Sequence, residues 1–281
     1  MSATPITSGV ANEQGAAMAD IKVAVINVSS AVSDAEVEQA VSALQVQVHR
    51  DFAPAWGIDA DLEFVPSGNR PPPGAWWLVI LNNSDQAGAL GYHDLTSQGL
   101  PLGKVFAQSD IDSGHSWTVT ASHELLEMLA DPGINLATFV EQVGQDGIGV
   151  GILFAYEVCD ACEADRYGYE IDGITVSDFV FPSWFEPFWR PNTTQFDYKN
   201  QIKRPFELLP GGYIGVNGLS AGVGWQQLID QPEHAAQQRV RPRVGSRRER
   251  RRTARSNWKP STAHESLAEV PASAKPLRRR P

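Results

Sequence analysis

Residues Trp117–Pro132 read W-T-V-T-A-S-H-E-L-L-E-M-L-A-D-P, and the rest of the chain is organised around them. The stretch predicts one helix, ended by Asp131-Pro-Gly133, because proline cannot continue a helix and glycine suits a reversal. Trp117, Val119, Ala121, Leu125, Leu126, Met128 and Leu129 cover most of its circumference. A helix apolar on nearly all sides is a buried helix. One polar stripe interrupts it: Ser116, Thr120, His123, Glu127 and Asp131, spaced three or four apart and so stacked on one face. Burying an imidazole and carboxylates without compensation costs several kcal/mol. A bound cation, buried ion pairs or hydrogen bonds must offset that cost.

These residues resemble the zincin metallopeptidase signature H-E-x-x-H, with Glu127 in place of the second histidine. The resemblance implies that His123 and Glu127 are metal ligands and that Glu124 is the general base acting on the attacking water. His123 and Glu127 lie roughly 6 Å apart along a helix axis and can share one ion. A carboxylate adds negative charge to the metal and weakens it as a Lewis acid. Zinc is the cofactor implied, and an oxygen-rich set also suits calcium or manganese. The longer string H-E-x-x-E-x-x-x-D-P, followed by E-V-C-D at Glu157–Asp160, is similar to a family of zincin-like bacterial and phage proteins over roughly residues 20–230.

A third ligand is needed. Asp131 is two turns from His123, roughly 12 Å along a straight helix, which is too far for one ion. Its simpler role is to accept hydrogen bonds from the next loop. Glu157 follows Glu127 by 30 residues, and one zincin branch supplies its third ligand as a downstream Glu, so Glu157 is the first choice. Asp160 is the reserve. His93, in Gly91-Tyr-His-Asp94, is a further candidate, although a lone loop histidine is more often structural. His115 is a weaker one. Tyr167 or Tyr169 is a candidate to stabilise an oxyanion, with packing as the plainer role.

Along the chain, Ile21–Val28 predicts a buried strand and Ser33-Asp-Ala-Glu36 a capping box that opens a helix reaching about Ala55. Ile58–Val65 and Trp76–Leu81 predict the second and third strands. Gly91–Asp94 reads as loop, and Lys104–Ala107 as a short strand at the sheet edge. Ile134–Gly144 reads as a short helix or loop, and Gly149–Cys159 as a strand-like run. Tyr169–Ile171 and Ile174–Val176, joined by Asp172-Gly173, form a hairpin pattern. The aromatic, proline-rich Phe181–Trp189 reads as irregular packing, and Gly211–Trp225 as a small β unit. The order strand–helix–strand–strand–edge strand–helix is that of zincin N-terminal subdomains, in which the edge strand binds peptide by strand addition. The fold class expected is therefore α+β, zincin-like, a mixed twisted sheet with a central H-E-x-x-E helix and a smaller irregular β part.

Residues 1–19 are small and polar and read as disordered; 20–232 form the folded domain, divided at 133; 233–281 read as a disordered Arg-rich tail. The formal net charge of −10 hides a split. From His234 onward 14 basic residues face three acidic ones, a net +11, which leaves −21 for residues 1–233. The acidic body suits cations and disfavours nucleic acid, whereas the tail suits polyanions by counterion release. Nothing resembles a secretory signal or a bilayer span, so the default expectation is cytoplasmic, without membrane contact. The two cysteines, Cys159 and Cys162, sit among Glu157, Asp160, Glu163 and Asp165. Negative neighbours raise a thiol pKa, which argues against redox chemistry. The function expected is metal-dependent peptide hydrolysis, with a non-catalytic metal-binding or protein-interaction module as the alternative.

Overall fold

The computed structural model describes residues 21–85, 89–143, 149–218 and 224–229. The segments read as disordered, 1–19 and 233–281, lie outside these residues. The described chain is mixed α+β, with three sheets and few helices.

Strands β1 (Ile21–Asn27), β2 (Ala60–Val65), β3 (Trp76–Leu81), β4 (Gly91–Leu95) and β5 (Pro101–Phe106) make a five-stranded sheet ordered β2-β1-β3-β5-β4. All pairs are parallel except β4–β5. Strand alternation sorts the side chains to two faces. Val23, Val25, Leu78, Ile80 and Val105 enter the main core, while Ala24, Ile26, Val79, Tyr92, Leu102 and Phe106 form a second cluster on the other face.

Helix α1 (Asp34–Val46) opens on the expected capping box: the Glu36 amide donates to Ser33 Oγ, and the Ser33 amide donates to the Glu36 carboxylate at 2.7 Å. A π-helical turn, Gln47–Phe52, carries it into α2 (Ala53–Trp56). The short α3 (Ala107–Asp112) leads to α4 (Trp117–Ala130). In α4 every residue except Trp117 and Thr120 is buried. At the centre of the domain Ser122 Oγ donates to Gln47 Oε1 at 2.6 Å and accepts from the Ser177 amide at 3.0 Å. That network ties the π turn, α4 and the C-terminal part together.

C-terminal to α4, strands β6 (Ala137–Val143), β7 (Gly149–Ala155), β10 (Tyr213–Gly218) and β11 (Gln226–Ile229) form an antiparallel sheet ordered β11-β10-β7-β6. The hairpin of β8 (Tyr169–Ile171) and β9 (Ile174–Val176) turns where expected; Asp172 and Gly173 have φ of 50° and 80°. Phe181–Trp189 contains a 3₁₀ turn that seats Trp184 in the core.

Three local expectations are corrected. Lys104–Ala107 is not the sheet edge, because β5 lies between β3 and β4. Lys104 is fully buried and donates to Asp85 at 2.7 Å and to the Tyr92 hydroxyl at 2.5 Å, so its charge marks a partner, not exposure. Gly91–Asp94 is strand, not loop, and forms the true edge. Ile134–Gly144 supplies β6 instead of a helix.

Glycine at the edge sets the spacing to α4. A Cβ on Gly91 would lie 2.6 Å from Thr120 Cγ2 and 2.9 Å from both Cγ and Oε1 of Glu124. Elsewhere in the core, Asp178 and Asp197 are both fully buried. Asp178 accepts from the Phe179 and Lys199 amides, and Asp197 from those of Gln201 and Ile202. Burial, and then the neighbouring Asp197, push Asp178 up to about 9.

Gly91→Ala is expected to lower unfolding free energy by about 1–3 kcal/mol, read from urea curves; a change within about 0.5 kcal/mol would mean that Thr120 and Glu124 yield freely. Asp178 keeps a proton in the fold that the unfolded chain releases near pH 4. Its contribution is therefore complete below about pH 4 and is lost as pH rises towards about 9. Asp178→Asn stays neutral at every pH, so its stability relative to wild type should rise between pH 5 and pH 8, by up to about 1.4 kcal/mol per pH unit. Equal differences at both pH values would refute the retained proton.

Candidate metal centre

Two histidines, from different elements, meet the carboxylates of α4. Within α4, His123 and Glu127 are one turn apart, with Nε2 3.2 Å from Glu127 Oε1. The loop after β7 comes down on this pair. Asp160 Oδ1 lies 3.3 Å from His123 Nε2, and the Cys159 amide donates to Glu127 Oε1 at 3.2 Å. One donor atom each from His123, Glu127 and Cys159 lie within 4.8 Å of one another. The Tyr213 hydroxyl, on β10, donates to Asp160.

The second histidine comes from the edge strand. Strand alternation turns Tyr92 into the far cluster and leaves Gly91 and His93 facing α4. His93 Nδ1 lies 3.3 Å from Glu124 Oε2 and 3.5 Å from Glu127 Oε2; Nε2 lies 3.5 Å from Glu157 Oε2. Donor atoms of His93, Glu127 and Glu157 again fall within 4.8 Å of one another. The two oxygens of Glu127 thus face different histidines.

The spacing is informative. A hydrogen bond between a charged ring nitrogen and a carboxylate is normally about 2.7–2.9 Å. The nitrogen–oxygen distances about His123 Nε2 are 3.2 and 3.3 Å. Atoms bonded to one tetrahedral ion at about 2.0–2.2 Å stand roughly 3.3–3.6 Å apart. Imidazole, carboxylate and thiolate are also the donor types that zinc accepts. The residues present therefore fit a divalent cation.

The side chains alone form a buried ion-paired group at His123. Burial alone would lower the His123 pKa, but the charge of Glu127 and hydrogen bonds with Asp160 and Glu127 outweigh it and hold the imidazole well above its ordinary value. Burial and Glu127 push Asp160 up to about 6, against His123 and Tyr213. Burial raises the Cys159 thiol well above its usual value, with His123 opposing and Glu127 adding to the rise. Without a cation, the cluster holds protons where ligands must be deprotonated. The side chain of His93 is 1% exposed and that of Glu157 15%, so the cluster is most open at Glu157.

The sequence candidates are thus placed as follows. His123 and Glu127 adjoin each other, and Glu124 adjoins His93. Glu157 reaches the His93 side, while Asp160, the reserve, lies at His123. Asp131 accepts from the Asn135 and Leu136 amides at 3.0 and 2.9 Å, as its simpler role requires. The His115 side chain is 48% exposed and 3.8 Å from Asp165. Tyr167 and Tyr169 donate to Pro210 O and Asp51, not to the cluster. Cys159 and Tyr213 are the members that sequence reasoning missed. The signals for Cys159 were its place inside E-V-C-D and its C-x-x-C spacing with Cys162, which also occurs as half a zinc site; Tyr213 had none. Both cysteines are free and buried, and burial above all holds their thiols protonated.

No family model, no curated protein and no solved structure matches the chain.

Proposed function

We propose that this protein is a metal-dependent hydrolase of the zincin type, acting on peptide bonds, with Glu124 as general base. The observation that carries the reading is the convergence of His123 Nε2, Glu127 Oε1 and Asp160 Oδ1 at 3.2–3.3 Å spacing on a buried helix. An antiparallel edge strand packed on that helix supports it further. The edge lies at Gly91–Leu95, so strand addition by a peptide substrate is assigned to β4 and not to Lys104–Ala107.

His123 and Glu127 would hold the cation, with Asp160 or Cys159 completing the set. A divalent ion there supplies Lewis acidity, which polarises a carbonyl and acidifies water. The chain's own residues do the rest. Glu124 takes a proton from the attacking water at a carboxylate oxygen and returns it to the leaving amine. His93 orients Glu124 through Nδ1, at 3.3 Å. The absence of a side chain at Gly91 leaves room for the Glu124 carboxylate beside the edge. Tyr213 steadies Asp160.

A second reading has its own support. His93, His123, Glu124, Glu127 and Asp160 are all buried, which suits a non-catalytic zincin-like module that binds metal or a protein partner. Among the described residues no helix is long and apolar enough to cross a membrane. Binding of polyanions by the basic tail is a separate proposal, motivated by its net charge alone.

Metal content and peptide hydrolysis, measured on wild type and Glu124→Gln, separate the two readings. The hydrolase reading expects chelator-sensitive hydrolysis that falls about 10²–10⁴-fold in the variant with metal content unchanged. Bound metal without hydrolysis in wild type would leave only the module. Wherever metal is bound a chelator should lower the melting temperature, because saturation at 1,000 times the Kd stabilises by about 4 kcal/mol; an unchanged melting temperature together with no bound metal would sink the hydrolase and leave only a module that binds a protein partner.

A further inference from the structure

Glu127 is shared. Its Oε1 faces His123 and the Cys159 amide, and its Oε2 faces His93. Two donor groups, His123–Glu127–Cys159 and His93–Glu127–Glu157, therefore have this one carboxylate in common. Asp160 adds an oxygen to the first group, and Glu124 adds one to the second.

Charge decides how many ions the cluster suits. Histidines that ligate a metal are neutral. The carboxylates of Glu124, Glu127, Glu157 and Asp160 sum to −4, and a Cys159 thiolate would make −5. A single divalent ion on the first group leaves −2 with His93 neutral and −1 with His93 protonated between its carboxylates. Two divalent ions supply +4. A carboxylate that bridges two ions holds them about 3.5–4 Å apart, and the Glu127 oxygens are each directed at a different donor group.

We propose that the protein binds two divalent transition-metal ions bridged by Glu127: one on His123, Glu127 and Cys159 with Asp160 adjoining, the other on His93, Glu127 and Glu157, with Glu124 beside it as general base. This rests on the metal-dependent reading above and deepens it. The first position takes its side-chain ligands from α4 and the loop after β7. The second lies against the edge strand and includes Glu157, the most open donor of the cluster.

The test is ion stoichiometry on the full-length chain, stripped with chelator and titrated with Zn²⁺ by calorimetry, with elemental analysis after desalting. Wild type is expected to hold two ions, and His93→Gln one. Loading with Co²⁺ needs no variant: two bridged ions give a magnetically coupled signal, and Cys159→Ser removes the thiolate-to-cobalt absorption band. One ion in wild type, with uncoupled Co²⁺ and no loss in His93→Gln, overturns the second site and leaves the single-metal reading standing. No ion in wild type removes both.

Discussion

The constraint on which the structure depends is the burial of Glu127. The residue is 2% exposed in the middle of a helix that is itself enclosed on almost every side. An ion taken from water into such a place costs several kcal/mol unless partners surround it. The fold brings partners from three directions: His123 from the preceding turn, His93 from the edge strand, and the Cys159 amide from the loop after β7. Removing any one leaves charge exposed to an apolar interior. The sheet edge, the helix and the C-terminal loop are thus linked by one side chain.

The same constraint explains why the C-terminal part is needed. The sheet and α4 alone would leave His123 and Glu127 open on the side away from β4. The antiparallel sheet positions β7, and the chain leaving it places Glu157, Cys159 and Asp160 over the helix within four residues. β10 then sets Tyr213 behind Asp160. Phe154, Val158, Phe179 and Trp184 join the core that contains Leu125 and Leu129, so the loop rests on packed side chains. A site on a loop is only as accurate as the packing that holds the loop.

Much of this was legible in the sequence, for identifiable reasons. The central helix, the capping box at Ser33–Glu36, β3 and the Asp172-Gly173 hairpin are specified by local chemistry: apolar crowding, reciprocal hydrogen bonds, a buried apolar run and a turn with positive φ. Strand β4 was not. Gly91-Tyr-His-Asp-Leu95 is short, opens on glycine and carries two polar residues, so its pattern is that of a loop; its pairing with β5 and its packing on α4 decide the matter. Lys104 misled in the opposite direction. A lysine within a short apolar run suggests an edge, but Asp85 and Tyr92, distant in sequence, supply the partners that let it be buried. The candidate site divides in the same way. His123, Glu124 and Glu127 follow from helical periodicity, whereas the separation of Glu157 from Asp160, and the entry of His93, depend on where a loop and a strand end in space.

The departure from H-E-x-x-H carries the last consequence. An imidazole in the place of Glu127 would direct one nitrogen at an ion beside His123 and offer nothing of opposite charge to His93. A carboxylate has two equivalent oxygens about 2.2 Å apart, each able to accept more than once. At residue 127 this lets one side chain serve the helix pair and the strand histidine together. The substitution that weakens the likeness to a one-metal signature is therefore what joins the two donor groups. It also adds a third carboxylate to those of Glu124 and Glu157 around the buried His93.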